Sequence, residues 1–230
     1  MPKHIGIVAV SAEGAALCYR TICTEGAAVF GTHNHPEIAL HNIPLASYMA
    51  PIYRNDWPQV GELLLKSARK LAEAGADLLI CPDNTVHQAI DLIIEKSPLP
   101  WLHIASEVAS AAKHRGFRRV GVLGTKYLME GPVYPPKFAA AGLEHEIPPP
   151  NDREKINRIV FEELVDGRFE ESSRRQFQAI IAKLKERGCD AVALSCTEIP
   201  LLISQKDSAL PILDSTRILA RAALRQAARE

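Results

Sequence analysis

Lys183-Leu184-Lys185-Glu186-Arg187-Gly188-Cys189-Asp190-Ala191-Val192 repeats Lys70-Leu71-Ala72-Glu73-Ala74-Gly75-Ala76-Asp77-Leu78-Leu79. Lys, Leu, Glu, Gly and Asp recur at a constant separation of 113 residues. Each copy reads as the end of an amphipathic helix, a glycine C-cap and a short buried strand. Carried forward without a gap, the register sets Asp83 opposite Cys196, Asn84 opposite Thr197 and Thr85 opposite Glu198. Each half of the chain thus delivers a polar triplet from the end of a strand.

Outward from these copies, the same alternation fills the chain. Apolar runs predict strands at 4–10, 28–30, 38–43, 78–81, 101–104, 119–124, 191–194 and 211–214. Helical periods predict helices at 15–24 behind Ser11, 59–74, 86–95, 108–115 behind Ser106, after Thr125, 153–165 capped by Asp152, 172–186 and 217–228 behind Ser215. Pro51, Arg54, Asn55, Asp56 and Pro58 mark 49–58 as a loop, and Pro132, Pro135, Pro136 and Pro148-Pro149-Pro150 mark irregular connections. Strands alternating with helices twice over predict an α/β protein of two similar lobes, each a mostly parallel sheet flanked by helices. The lobes are expected at 1–116 and 117–214, with a terminal helix at 215–230. In such sheets ligands sit beyond the carboxyl ends of the strands, which puts the site in the cleft between the lobes.

Composition narrows the partners. Apolar residues are 47% and charged residues 23%, ordinary for a soluble globular chain. Lys plus Arg and Asp plus Glu are 27 each, so there is no electrostatic reason to expect nucleic acid or an anionic membrane. No apolar run reaches the roughly 18 residues of a membrane span, and the amino terminus lacks a signal-peptide pattern. Cys18, Cys23, Cys81, Cys189 and Cys196 are odd in number and form no CxxC pair, so neither a disulfide framework nor a thiolate metal site is expected. His33 and His35 have no third ligand in view and read as a solvated loop. A reducing cytoplasm is the expected setting.

The strand ends carry the chemistry. Ser11, Asp83, Asn84, Thr85, Thr125, Cys196, Thr197 and Glu198 all fall there. Helix N-termini and small hydroxyls on both walls suit a small carboxylate ligand, and the same field favours a Cys196 thiolate, a good base or nucleophile. Read alone, Asp83 is as well explained as a helix cap and Cys196 as a buried small residue; the repeat favours a functional role for both.

The chain resembles the pyridoxal-independent aspartate/glutamate racemase superfamily. Leu194-Ser195-Cys196-Thr197-Glu198-Ile199-Pro200-Leu201-Leu202 is similar to that family's second cysteine motif, and Cys81-Pro82-Asp83-Asn84-Thr85-Val86-His87 to its first. Val120-Gly121-Val122-Leu123-Gly124-Thr125, with Met129 and Tyr134, resembles the start of its second lobe, and Pro211-Ile212-Leu213-Asp214-Ser215-Thr216 its C-terminal segment. The resemblance implies a reaction without cofactor or metal, on a small acidic amino acid or dicarboxylate, in a chain that pairs as a homodimer. Two thiols would face opposite sides of the substrate Cα. Here Cys196 supplies one, and Asp83 stands where the other is expected. The resemblance further implies Ser11, Asn84, Thr85, Thr125, Thr197 and Glu198 around the substrate and Arg54 on its side-chain carboxylate. Arg168 is a second candidate for that clamp, and His87 orients a turn or touches substrate. An asymmetric pair also fits a single-cysteine decarboxylase or isomerase of a small dicarboxylic acid, or a carboxylate-binding protein without catalysis.

Overall fold

The computed structural model describes residues 2–229; Met1 and Glu230, the outermost residues of the expected first lobe and terminal helix, lie outside the described residues. The first part of the chain runs β1 (Ile5–Ala9), α1 (Ala12–Phe30), β2 (Ile38–Asn42), α2 (Leu45–Tyr53), α3 (Trp57–Glu73), β3 (Leu78–Ile80), a 3₁₀ segment Thr85–Leu92, a second one Ile94–Lys96, β4 (Trp101–Leu102) and α4 (Ile104–His114). The remainder runs β5 (Arg119–Leu123), α5 (Lys126–Met129), α6 (Pro135–Ala141), β6 (Glu144–Glu146), α7 (Pro150–Glu162), α8 (Glu171–Glu186), β7 (Ala191–Leu194), α9 (Ile199–Leu202), β8 (Ile212–Asp214) and α10 (Ser215–Ala227). The strands form two sheets of four, ordered β2-β1-β3-β4 and β6-β5-β7-β8, and every pairing is parallel. This is the expected two-lobed α/β architecture.

The recurring residues are the ones that dock a helix onto a sheet. β3 and β7 hold the same place in their sheets. α3 and α8 end at Glu73 and Glu186, and Gly75 and Gly188 follow with φ of 86° and 88°, a left-handed turn that glycine enters without a Cβ penalty. Asp77 Oδ2 accepts the His4 backbone N–H at 2.7 Å. Asp190 does the same for Arg118 and Arg119, at 2.8 and 3.1 Å. Each aspartate ties the start of a neighbouring strand to the turn. Leu71 and Leu184 are buried, each against a glycine of the central strand: a Cβ on Gly6 would lie 3.3 Å from Leu71 Cβ, and one on Gly121 2.8 Å from Leu184 Cδ1. A fully buried leucine contributes roughly 1.5–3 kcal/mol, so the repeat preserves a packing joint.

The opposite face of the first sheet buries Ile5, Ile7, Leu78 and Ile80 with Cys18 and Ile22 of α1 and with Leu219, Ala220, Ala223, Leu224 and Ala227 of α10. In the second sheet Leu123, Val192 and Leu194 join α7 and α8 through Ile156, Ile159, Val160, Phe177, Ile180, Ile181 and Leu184. By packing, one compact unit takes in the residues up to Ile104 and those from Thr216 on, and the other is Ala105–Ser215. Most of α4 joins the second unit, where Arg115 just beyond it donates to Ile212 O at 3.0 Å, and α10 joins the first.

Several elements differ from expectation. The helix expected at 15–24 and the strand at 28–30 are one helix, α1. Gly26 does not end it; the glycine makes room for His35, whose Cβ would lie 2.6 Å from an added Cβ. The loop expected over 49–58 holds the end of α2, with Pro51 inside it, and the start of α3. Asp56 Oδ1 caps α3 by accepting the Gln59 N–H at 3.1 Å, and Pro58 sits in its first turn, where a missing N–H costs nothing. The same rule explains α6 and α7, which start at Pro135 and Pro150 inside stretches read as irregular. Asp152 therefore lies in the first turn of α7 and is not its cap; its carboxylate instead takes Lys183 Nζ at 2.7 Å and Lys155 Nζ at 3.3 Å. The helix expected at 86–95 is 3₁₀ in two pieces. β6, a three-residue edge strand of Glu144, His145 and Glu146, has no apolar run to announce it.

Candidate active site

Both polar triplets lie just past a central strand. In the second unit, Ser195 N–H donates to Leu123 O at 2.7 Å and the Ser215 hydroxyl to Leu194 O at 2.9 Å. The ends of β5, β7 and β8 are thereby stitched together one step before Cys196. Gly124 lets the first two approach: a Cβ there would lie 2.9 Å from Ser195 O and would also strike Leu128. Next to it Thr125 caps α5, its Oγ1 accepting the Leu128 N–H at 3.3 Å. Thr197 and Glu198 are buried, and Cys196 retains 7% exposure. The Cys196 thiol donates to Glu198 Oε2 at 3.0 Å. The helix that follows, α9, is a single turn, too short for the macrodipole expected to favour a thiolate.

In the first unit Ser11 caps α1, accepting the Gly14 N–H at 3.3 Å, and Asn42 Nδ2 reaches Val10 O at 3.4 Å. Beyond β3, Asp83 Oδ1 accepts the Val86 N–H at 3.2 Å. The capping role is therefore real, and it occupies one carboxylate oxygen. Asn84 is buried, and Asp83 and Thr85 are half-buried. Cys81 is wholly buried; burial, aided by the Asp83 charge, pushes its thiol well above the usual range. A thiol held protonated by an apolar shell is a poor nucleophile, so Cys81 is no substitute for a thiol at 83. His87 is buried, its Nε2 2.9 Å from Cys81 O, and its ring meets that of His103 edge-on at 4.6 Å. This histidine orients the turn.

Arg54 and Arg168 are engaged elsewhere. Arg54 is exposed at the end of α2 and donates to Gln59 Oε1 at 2.9 Å. Arg168 donates to Glu162 O and faces Asp166 at 3.7 Å. Among the described residues no cluster of His, Cys, Asp and Glu is arranged to hold a metal, and no helix is long and apolar enough to cross a membrane. A depression of about 420 Å³ along α7, lined by Glu154, Asn157, Arg158 and Phe161 among others, contains none of the expected site residues.

Tyr48 was missed. It comes from α2, read as a loop in part, and is completely buried. Burial, with the Asp83 charge adding, pushes its hydroxyl above the ordinary phenol range. A neutral phenol thus lies within electrostatic reach of Asp83. The signal was the period of Leu45, Tyr48, Met49 and Ile52, which two prolines obscured.

Comparison with known proteins identifies relatives of the whole chain. The family model "Asp/Glu/Hydantoin racemase" matches residues 6–223. A crystal structure from Yersinia pestis assigned to the Asp/Glu racemases is 34% identical, with a TM-score of 0.90 over 99% of this chain and 100% of that one. An aspartate racemase homologue from Pyrococcus horikoshii OT3 is 29% identical, with a TM-score of 0.85 over 99% and 100% of the two chains. The broad specificity amino-acid racemase RacX of Bacillus subtilis is 23% identical over 84% of each chain. The chain belongs to the Asp/Glu/hydantoin racemase family, a family of isomerases.

Proposed function

We propose that the protein racemises aspartate or glutamate without a cofactor, moving a proton at Cα between Asp83 on one face and Cys196 on the other. The observation that carries this reading is the 113-residue register: Asp83 and Cys196 follow matching strands of two matching sheets in a chain of a racemase family. Ser11, Asn84, Thr85, Thr125 and Thr197 supply donors for the substrate carboxylates, and Arg54 swings from Gln59 to hold the distal one. One residue takes the Cα proton, the planar carbanion is held by these donors, and the other residue returns a proton to the opposite face. A carboxylate is a weaker base than a thiolate by roughly four pKa units on reference values, so turnover is slow for this family. The cytoplasm keeps the Cys196 thiol reduced for this role.

Proton NMR in deuterium oxide tests the reading. Aspartate or glutamate should lose its Cα signal with the wild-type protein and convert to its enantiomer, and with Cys196→Ala the conversion should stop. Conversion between the enantiomers retained by Cys196→Ala would sink the proposal.

The carboxylate at 83 also favours a second reading. With Cys196 as sole proton donor, the site would decarboxylate a malonate-type acid and protonate the enediolate from one face. Carbon dioxide release from substituted malonates, with no Cα exchange in amino acids, would select it. Thermal stabilisation by such acids without any turnover would instead mark a carboxylate binder.

A further inference from the structure

We propose that Glu198 is a positioning residue that holds Cys196 as the protonated thiol in the resting enzyme, so that Cys196 enters the reaction as the acid and Asp83 as the base. The catalytic half of this statement rests on the racemase reading; the protonation state of Cys196 does not.

The geometry is specific. Cys196 Sγ and Glu198 Oε2 are 3.0 Å apart, well within the hydrogen-bond limit for sulfur, and Glu198 is 3% exposed. An ionised carboxylate can only accept, so in this contact the proton is the thiol's. Removing that proton would set a thiolate against a carboxylate with little water between them, a like-charge pair that the buried site disfavours. Two other titratable groups near the turn add no positive charge: Asp214 ends β8 beside Leu194 and is another acid, and Tyr134 is a buried phenol whose hydroxyl burial pushes above its ordinary range. The first unit differs. Asp83 accepts a backbone N–H through Oδ1, which favours its ionised form.

Proton flow follows from this arrangement. The Asp83 carboxylate takes the Cα proton and becomes the acid. The Cys196 S–H bond breaks toward the opposite face of the carbanion, leaving a thiolate. After product leaves, Asp83 loses its proton to water and the thiolate regains one from water, restoring the start.

The ultraviolet thiolate band, taken as wild type minus Cys196→Ser across pH, tests the assignment without substrate. Wild type should show no Cys196 thiolate at neutral pH and a midpoint above the free-thiol value of ~8.5. Glu198→Gln should lower that midpoint by about one unit or more and speed iodoacetamide alkylation of Cys196 at neutral pH by ~10-fold. A residue that only contacts substrate would change neither. A wild-type midpoint at or below the free-thiol value overturns the proposal, as does a folded Glu198→Gln protein alkylated at the wild-type rate. Should Glu198→Gln not fold, the wild-type midpoint decides alone. Absence of Cα exchange in any amino acid would remove the racemase reading and leave these readouts intact.

Discussion

The turns after β3 and β7 occupy matching places and have diverged, while the joints before them have not. Gly75 and Gly188, Asp77 and Asp190, Leu71 and Leu184 do the same work in both units. Six residues past each aspartate, one unit has Asp83 feeding a 3₁₀ segment and the other Cys196 feeding a single α-turn. Packing joints tolerate little change because both partners would have to move together. A strand-end turn faces fewer packing constraints, so its side chains are open to change by chemistry.

The sharpest way to break this pairing is at the two proton carriers. Cys196→Ala and Asp83→Ala should each cost ~10²–10⁴-fold in racemisation, the usual range for a general acid or base. Asp83→Cys makes the two turns chemically alike and should exchange faster than wild type in the same deuterium assay. An Asp83→Cys protein no faster than Asp83→Ala would show that the turns are not equivalent.

The joints give smaller effects. Gly124→Ala forces a Cβ against the Ser195 carbonyl, which cannot rotate away, and should cost ~2–3 kcal/mol in urea unfolding. Gly6→Ala and Gly121→Ala compare the two joints directly. A Cβ on Gly6 meets Leu79 Cδ2 at 2.8 Å, Ala76 Cβ at 3.1 Å and Leu71 Cβ at 3.3 Å; one on Gly121 meets only Leu184, its Cδ1 at 2.8 Å and the rest at 3.5 Å. A leucine tip can turn aside and a Cβ cannot. Gly6→Ala should therefore be the costlier, ~2 against ~1 kcal/mol, and the reverse order would show that the first joint is the softer.

The smallest effect is a charge that only one copy uses. Burial pushes the Asp152 carboxyl up, but hydrogen bonds from Lys183 and Lys155 outweigh it and hold the group below its ordinary value. A carboxyl lowered on folding adds stability above its unfolded pKa and loses it as pH falls through the folded one. Lys183→Ala should thus cost ~0.5–1 kcal/mol at neutral pH, since the lysine is half exposed, and nothing in strong acid. Lys70→Ala, at the matching but exposed position, should cost less at either pH. Urea midpoints at the two pH values measure both.

The sequence was most legible where periodicity and repetition agreed. The register located β3, β7, both glycine turns and the two triplets, because each repeated residue has a packing duty that leaves few substitutes. It was least legible where proline marks a helix start. Pro58, Pro135 and Pro150 read as breaks, although the first turn of a helix needs no N–H from them. Ala27-Ala28-Val29-Phe30 was too short for its period to separate helix from strand, and no propensity announces that Thr85–Leu92 winds as 3₁₀. At the site, chain order located Cys196 and Glu198 on one turn, but the 3.0 Å contact between them depends on rotamers that spacing does not encode. Tyr48 arrives from a helix far away in the chain, and its place within electrostatic reach of Asp83 is a tertiary fact.

α10 fixes an order of events during synthesis. The first unit buries Leu219, Ala220, Ala223, Leu224 and Ala227 beneath β1 and β3, and Lys3 N–H, at the other end of the chain, is held by Ala227 O at 2.9 Å. The second unit is one continuous segment, Ala105–Ser215. As the chain leaves the ribosome, the first sheet is made early yet waits with Ile5, Ile7, Leu78 and Ile80 uncovered on one side by α10. The second unit, made later, can close first. The first unit can complete this core only once Leu219 and the residues after it have been made, and an early stop before Leu219 would leave that face without α10.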